Sequence, residues 1–274
     1  MSTAPASAAG PAPAGGRIRV EDRGLVRVLT IENPGKRNAF DYGSLAALAA
    51  ACERAAADRV RCLVLRGEGD QAFSSGFDIE AMEGDGPDGD RPDLATERAM
   101  EAVEAVPCPT VAFVNGAAFG AGCELAVTCD LRIASEGARM GMPPAKLGVV
   151  YAAAGIRRFL ALVGPAHARE LFFTGRPVDA QRALAIGLLD RVAPPAAAEA
   201  AALALAEEIA ANAPIAVQGM KRILRLLVAS HERALTNAER DEIAALRTRA
   251  FESEDLREGR RAWAERRAPR FRGE

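Results

Sequence analysis

Asn115-Gly116-Ala117-Ala118-Phe119-Gly120-Ala121-Gly122-Cys123-Glu124 is the stretch that decides the fold. It follows the apolar run Thr110 to Val114, which reads as a strand, and leads into a helix from about Ala121 to Cys129. Small residues stand where the backbone turns. A glycine-rich turn entering a helix leaves N–H groups unpaired and aimed outward. A second segment repeats the plan: Ser74-Ser75-Gly76-Phe77-Asp78-Ile79 comes after the strand-like run Cys62 to Arg66. Two such turns side by side offer two donors to one oxygen, the usual device for stabilising negative charge on a carbonyl oxygen.

Working outward, Arg17–Val20 and Val26–Glu32 alternate well enough to predict a β-hairpin. Asp41–Ala57 is Ala/Leu-rich and reads as a helix, Arg61–Arg66 as a strand, and Leu94–Val106 as a helix closed by Pro107. Asp130–Ile133 predicts a further strand. Residues 84–93, rich in Gly, Asp and Pro, cannot sustain regular structure, and stand where either a lid over a site or a solvated loop would. From Pro195 the chain reads as helix almost throughout, with breaks at Pro214, Ser230-His231 and Ser253. Ser253 suits an N-cap, with Glu254 and Asp255 in the first turn where the helix dipole favours them. Strand, helix, strand at short spacing implies a parallel sheet with crossover helices. The class is therefore α/β: a tail over residues 1–16, a core over 17–195 and a C-terminal helical region over 196–274.

The 274 residues can bury a sizeable core. A net charge of −2 argues against nucleic acid as the main partner. Cys52, Cys62, Cys108, Cys123 and Cys129 lie mostly in apolar runs without a CxxC pair, which predicts reduced, buried thiols in a cytoplasmic protein. No apolar run is long enough to span a bilayer, so no membrane partner is expected. Residues 1–16, all Ala, Pro, Gly, Ser, Thr or Met, suit a disordered tail better than a signal peptide. His167 and His231, far apart among helical residues, read as surface or packing groups, and no metal site is expected. Neither glycine turn matches a nucleotide-phosphate motif.

The ordered set of segments resembles the crotonase superfamily, the enoyl-CoA hydratase/isomerase family. Besides the two turns it includes Asn33-Pro34-Gly35-Lys36-Arg37-Asn38-Ala39, Cys129-Asp130-Leu131-Arg132-Ile133-Ala134, Leu171-Phe172-Phe173-Thr174-Gly175-Arg176 and Gly187-Leu188-Leu189-Asp190-Arg191-Val192. Ser253-Glu254-Asp255 and the basic run Glu265 to Phe271 complete it. The resemblance implies a crotonase-like spiral of ββα turns, a homotrimer or dimer of trimers, an acyl-CoA thioester as substrate, and no cofactor beyond that coenzyme A. It puts the oxyanion donors at the backbone N–H groups of Phe77 and Ala121. Coenzyme A and substrate would lie near Lys36, Arg37, Ala39, Ser75, Asp78, Ile79, Gly120 and Pro144. Asp78 also suits a helix N-cap, and Phe77 should narrow the acyl pocket.

Hydratases of the family hold one water between two glutamates. Glu124 matches the first, and is also placed as a first-turn acid favoured by the helix dipole. The second falls at Pro144, which has no acid, no base and no N–H. That departure puts hydration in doubt. The run Pro143-Pro144-Ala145-Lys146-Leu147-Gly148-Val149-Val150-Tyr151 resembles methylmalonyl-CoA decarboxylases, relatives with a tyrosine in the site at this place. There Tyr151 would orient a departing carboxylate or donate a proton; its alternative role is packing. Against that resemblance, Phe77 replaces a polar residue. Hydration or isomerisation, malonyl-type decarboxylation, and a non-catalytic acyl-CoA-binding scaffold are the readings open at this point, with Glu124 and Tyr151 as the catalytic candidates.

Overall fold

The computed structural model describes residues 15–82, 91–230 and 236–272. The expected tail over 1–16, save its last two residues, lies outside them, as do His231 and most of the 84–93 run. Chain order begins with β1 (Arg17–Arg23), β2 (Val26–Glu32), α1 (Tyr42–Ala57), β3 (Cys62–Gly67) and β4 (Ala72–Ser74). It continues with α2 (Pro92–Ala105), β5 (Thr110–Val114), β6 (Ala117–Phe119), α3 (Ala121–Thr128), β7 (Leu131–Ser135) and β8 (Arg139–Gly141). Then come α4 (Ala153–Thr174), β9 (Val178–Asp179), α5 (Ala180–Ala185), β10 (Arg191–Ala193) and the helices α6 (Pro195–Ala211), α7 (Pro214–Ser230), α8 (Asn237–Glu252) and α9 (Glu254–Ala264).

Two sheets run through the core. The larger has the order β1-β2-β3-β5-β7-β10, the smaller β4-β6-β8-β9. Apart from the β1–β2 hairpin, every pairing in the larger sheet is parallel. Parallel strands are covered on both faces, and β2 is buried at all seven positions. One face packs α1, α2 and α3 against Leu29, Leu63, Leu65 and Phe73, while α6 covers Val28, Val64, Val111 and Ile133 on the other. The first ββα turn keeps both strands, β1 and β2, in the large sheet; the next three each send one strand to the large sheet (β3, β5, β7), one to the small sheet (β4, β6, β8), and a helix back across the core.

Local chemistry sets the boundaries. Asp41 caps α1, its carboxylate accepting from Ser44 N at 2.7 Å while the Ser44 hydroxyl accepts from Asp41 N. Helix α2 starts at Pro92, two residues before the expected Leu94, because proline at the first helical position loses no intrahelical bond. Ser253 caps α9, its hydroxyl accepting from Leu256 N at 3.0 Å. Among the described residues no single helix is long and apolar enough to cross a membrane. Helices α6 and α7 reach that composition only together, and they are bent by 107°.

Candidate active site

Parallel pairing of β4 with β6 delivers the two glycine turns side by side. Their backbones are in contact: a Cβ on Gly76 would lie 2.7 Å from the Phe119 carbonyl oxygen and 3.3 Å from Ala121 N. Gly76 also has φ +97°, which only glycine adopts without strain. Gly122 is required for a different reason, since its Cβ would meet the Ser74 carbonyl oxygen at 2.3 Å. Phe77 forms a single parallel bridge with Phe40, in which Gly76 O accepts from Phe40 N and Asp78 N donates to Phe40 O. Alternation along an extended segment turns the Phe77 N–H away from Phe40. Ala121 is the first residue of α3, where an N–H has no intrahelical acceptor. Both residues line one cavity of about 830 Å³, together with Gly120, Glu124, Pro144 and Tyr151.

Glu124 sits in the first turn of α3 and is 3% exposed. The Tyr151 hydroxyl donates to its Oε2 at 2.5 Å, and Arg158 Nη1 donates to its Oε1 at 2.8 Å. Arg158 Nε in turn donates to Glu104 Oε1 at 2.7 Å. Burial raises the Glu124 carboxyl above its ordinary range; Tyr151 and Arg158 oppose that, and the Glu97 charge adds to it. Burial and then the Glu124 charge raise the Tyr151 phenol well above normal. Burial pulls the Arg158 guanidinium down, yet Glu104 and Glu124 together outweigh it and the net shift is upward. The Tyr151 ring also packs on Phe172 with ring centroids 5.6 Å apart, the packing role expected as its alternative. Gly155 leaves room for the pair, since a Cβ there would lie 2.6 Å from Tyr151 Cε1 and 2.7 Å from Glu124 Oε1.

The expected coenzyme A residues gather at the cavity mouth. Lys36 Nζ lies 2.6 Å from Asp78 Oδ2 and 2.7 Å from Glu80 Oε2, and these carboxylates hold its ammonium above the usual range. Asp78 Oδ1 accepts from Glu80 N at 3.1 Å, a cap on the short turn that follows. Ser75 Oγ donates to Lys36 O, and Ser75 N to Arg37 O. Arg37 and Asn38 take left-handed φ of 54° and 58°. That conformation is held by the buried Asn38 side chain, which donates to Glu68 O and Ala72 O and accepts from Asn33 N. Ala39 and Ile79 also line the cavity, and Pro144 opens a 3-10 turn on its wall.

The far end of the chain supplies another wall. Helix α9 lies on the turn Pro144–Leu147, close enough that a Cβ on Gly259 would be 2.6 Å from Leu147 O. Phe251, Trp263, Arg266 and Arg267 line the cavity. An adjoining hollow is bounded by Arg37, Arg257, Arg260, Arg261, Arg266 and Arg267. His167, by contrast, is a half-exposed residue of α4 beside Glu170.

Three site residues were not found by reading the sequence. Glu97 and Glu104 come from α2, and Arg158 from α4; Glu97 and Arg158 line the cavity. The spacing of Glu97, Glu101 and Glu104 on one helical face was the available signal.

A sequence profile described as "Enoyl-CoA hydratase/isomerase" matches residues 21–274. Short-chain-enoyl-CoA hydratase of Clostridium acetobutylicum is 34% identical over 209 residues, 76% of this chain and 80% of that protein. Methylmalonyl-CoA decarboxylase of Escherichia coli (strain K12) is 34% identical over 215 residues, 78% of this chain and 82% of that protein. A solved structure of methylmalonyl-CoA decarboxylase in complex with 2-nitronate-propionyl-CoA superposes with a TM-score of 0.86 at 31% identity, covering 95% of this chain and 100% of that one.

Proposed function

Because the chain belongs to the enoyl-CoA hydratase/isomerase family of acyl-CoA-processing proteins, we propose that it is a lyase that decarboxylates a 2-carboxyacyl-CoA of the methylmalonyl-CoA type. The observation that carries this reading is the Tyr151–Glu124 pair, 2.5 Å apart on the wall of a cavity whose other candidate acid/base position is Pro144. Hydration needs a water held between two bases. Decarboxylation needs an electron sink and one proton donor.

In this reading the thioester oxygen sits between the N–H groups of Phe77 and Ala121. The bond from C2 to the carboxylate breaks, its electron pair forms the thioester enolate, and CO₂ leaves. The oxyanion donors hold the charge without reorganising, since their backbones are already fixed by packing. Tyr151 then turns its hydroxyl from Glu124 to C2 and gives it the proton, and the proton of a neutral Glu124 carboxyl, the form that burial favours, passes to Tyr151 Oη in its place. Glu124 is left as a carboxylate facing Arg158. The thioester is itself the electron sink, so no cofactor is proposed beyond the coenzyme A of the substrate. Its phosphates would meet the arginines around Arg37 and Arg267.

Glu97 favours a second reading. It places another carboxylate on the same cavity wall, one whose charge reaches Glu124. In that reading Glu97 stands in for the base missing at Pro144, and water is added to an enoyl-CoA.

We propose further that the protein assembles as a homotrimer. Ile215, Met220, Ile223 and Leu224 on α7 are between 56% and 89% exposed, an apolar surface that a neighbouring copy would cover. The five cysteines are free and buried, as suits a reducing cytoplasm.

Release of CO₂ from methylmalonyl-CoA and loss of the enoyl absorbance of crotonyl-CoA, measured on the same preparation, test these readings. CO₂ release without hydration supports the first. Hydration that disappears in both Glu124→Gln and Glu97→Gln supports the second and overturns the first. Binding of both thioesters with no turnover assigns a non-catalytic acyl-CoA scaffold.

A further inference from the structure

The Tyr151–Glu124 pair does not stand alone. Arg158 faces the Glu124 oxygen that Tyr151 leaves unused, and it is itself held by Glu104 from α2. The Arg158 and Glu124 side chains are 8% and 4% exposed, so water screens their interaction little. Charged and titratable groups reach Glu124 from each packed element: Glu97 from α2, Tyr151 from the segment before α4, and Arg158 from α4, with Glu104 of α2 acting through Arg158. One guanidinium is therefore shared between two carboxylates, Glu104 and Glu124.

From this geometry we infer that Arg158 is a positioning residue that sets the acidity of the Tyr151–Glu124 proton donor, and that Glu104 sets how much of the Arg158 charge Glu124 receives. The inference rests on the proposed role of that pair as proton source. The sharing has a direction. Removing Arg158 leaves Glu124 buried without its cation, so its carboxyl holds the proton more tightly. Removing the Glu104 charge frees Arg158 to serve Glu124 alone, so the carboxyl releases its proton more readily. Two substitutions on either side of one guanidinium therefore act with opposite sign, which a purely structural role would not produce.

The experiment is a pH profile of CO₂ release for the wild type, Arg158→Gln, Arg158→Lys and Glu104→Gln, with binding of acetyl-CoA as a control for folding. Activity needs the protonated pair, so the informative limb is the alkaline one. The expected results are a limb displaced to higher pH in Arg158→Gln and to lower pH in Glu104→Gln, each by about one pH unit, the size of a charge effect worth roughly 1.4 kcal/mol. Arg158→Lys should restore most of the wild-type position. Limbs that stay in place, or move in the same direction in both variants, overturn the inference.

A readout without turnover keeps this distinct from the function itself. The chain has two tyrosines, Tyr42 and Tyr151. In a Tyr42→Phe background the ultraviolet difference spectrum of Tyr151 reports protonation of its acceptor Glu124. Opposite displacements of that transition, with no CO₂ released, would sustain the role of Arg158 and overturn the decarboxylase reading. Loss of CO₂ release in Glu124→Gln with no displacement in either Arg158→Gln or Glu104→Gln would do the reverse.

Discussion

The Tyr151 hydroxyl donates to Glu124 Oε2 across 2.5 Å, joining a residue before α4 to one in the first turn of α3. Twenty-seven residues separate them in the chain, yet they share one buried hydrogen bond. If that pair supplies the proton to an enolate, Glu124→Gln and Tyr151→Phe should each lower kcat for CO₂ release by about 10²- to 10⁴-fold. KM should change little. Steady-state kinetics on purified variants checks this, and a tenfold rise in KM at unchanged kcat would assign the pair to binding instead.

Burial of Glu124 also makes stability depend on pH. Its carboxyl binds a proton more tightly in the folded chain than in the unfolded one. That contribution is fully present below the unfolded value of about 4.3 and is lost as pH rises through the raised folded value. Thermal melts across that window should show the wild type losing stability relative to Glu124→Gln as pH increases. Parallel curves would mean that folding leaves the proton affinity of Glu124 unchanged.

Gly155 is the spacer that lets the pair form. A methyl group there would press on both Tyr151 Cε1 and Glu124 Oε1. Gly155→Ala is expected to cost about 1–3 kcal/mol of stability, as overpacking does, and to lower kcat far more than the melting temperature alone would suggest. Differential scanning calorimetry beside kinetics separates the two effects. A variant with wild-type kcat would show that the contact yields without disturbing the hydrogen bond.

Trp263 is the single tryptophan in the chain and lines the cavity from α9. Acyl-CoA binding should therefore change its fluorescence saturably, and the same titration with free acetate should not. A signal unchanged at saturating acetyl-CoA would place the thioester elsewhere.

The apolar face of α7 predicts assembly. Met220→Glu combined with Leu224→Glu should reduce the sedimentation coefficient from that of a trimer to that of a monomer. A trimer that survives both charges would move the interface away from α7.

Much of this organisation is legible in the sequence, for local reasons. The turns at Gly76 and Gly120 are set by glycine chemistry, the cap at Ser253 by a single hydroxyl, and the helix breaks by proline and serine. The hairpin strands follow from alternation, α1 from its Ala/Leu content and α3 from the glycine turn that leads into it. What local pattern cannot carry is which helices meet. Arg158 and Glu124 lie on α4 and α3, Glu104 on α2, and only the packing of α2, α3 and α4 brings them together. The start of α2 lies inside the Gly-, Asp- and Pro-rich run 84–93, whose composition hides it, because a proline at the first helical position is compatible with a helix. The Lys36 contacts with Asp78 and Glu80 were equally out of reach, since they depend on the left-handed backbone at Arg37 and Asn38.

Helix α9 closes the cavity against a wall built from residues 35–39, so the pocket joins two ends of the sequence. During synthesis the two glycine turns, Glu124 and Tyr151 all leave the ribosome before Trp263 and Arg267 exist. In a nascent chain this pocket thus lacks one of its walls, and it becomes the cavity described above only when the last helix docks. Damage or truncation confined to α9 should spare the core and still leave the cavity without that wall.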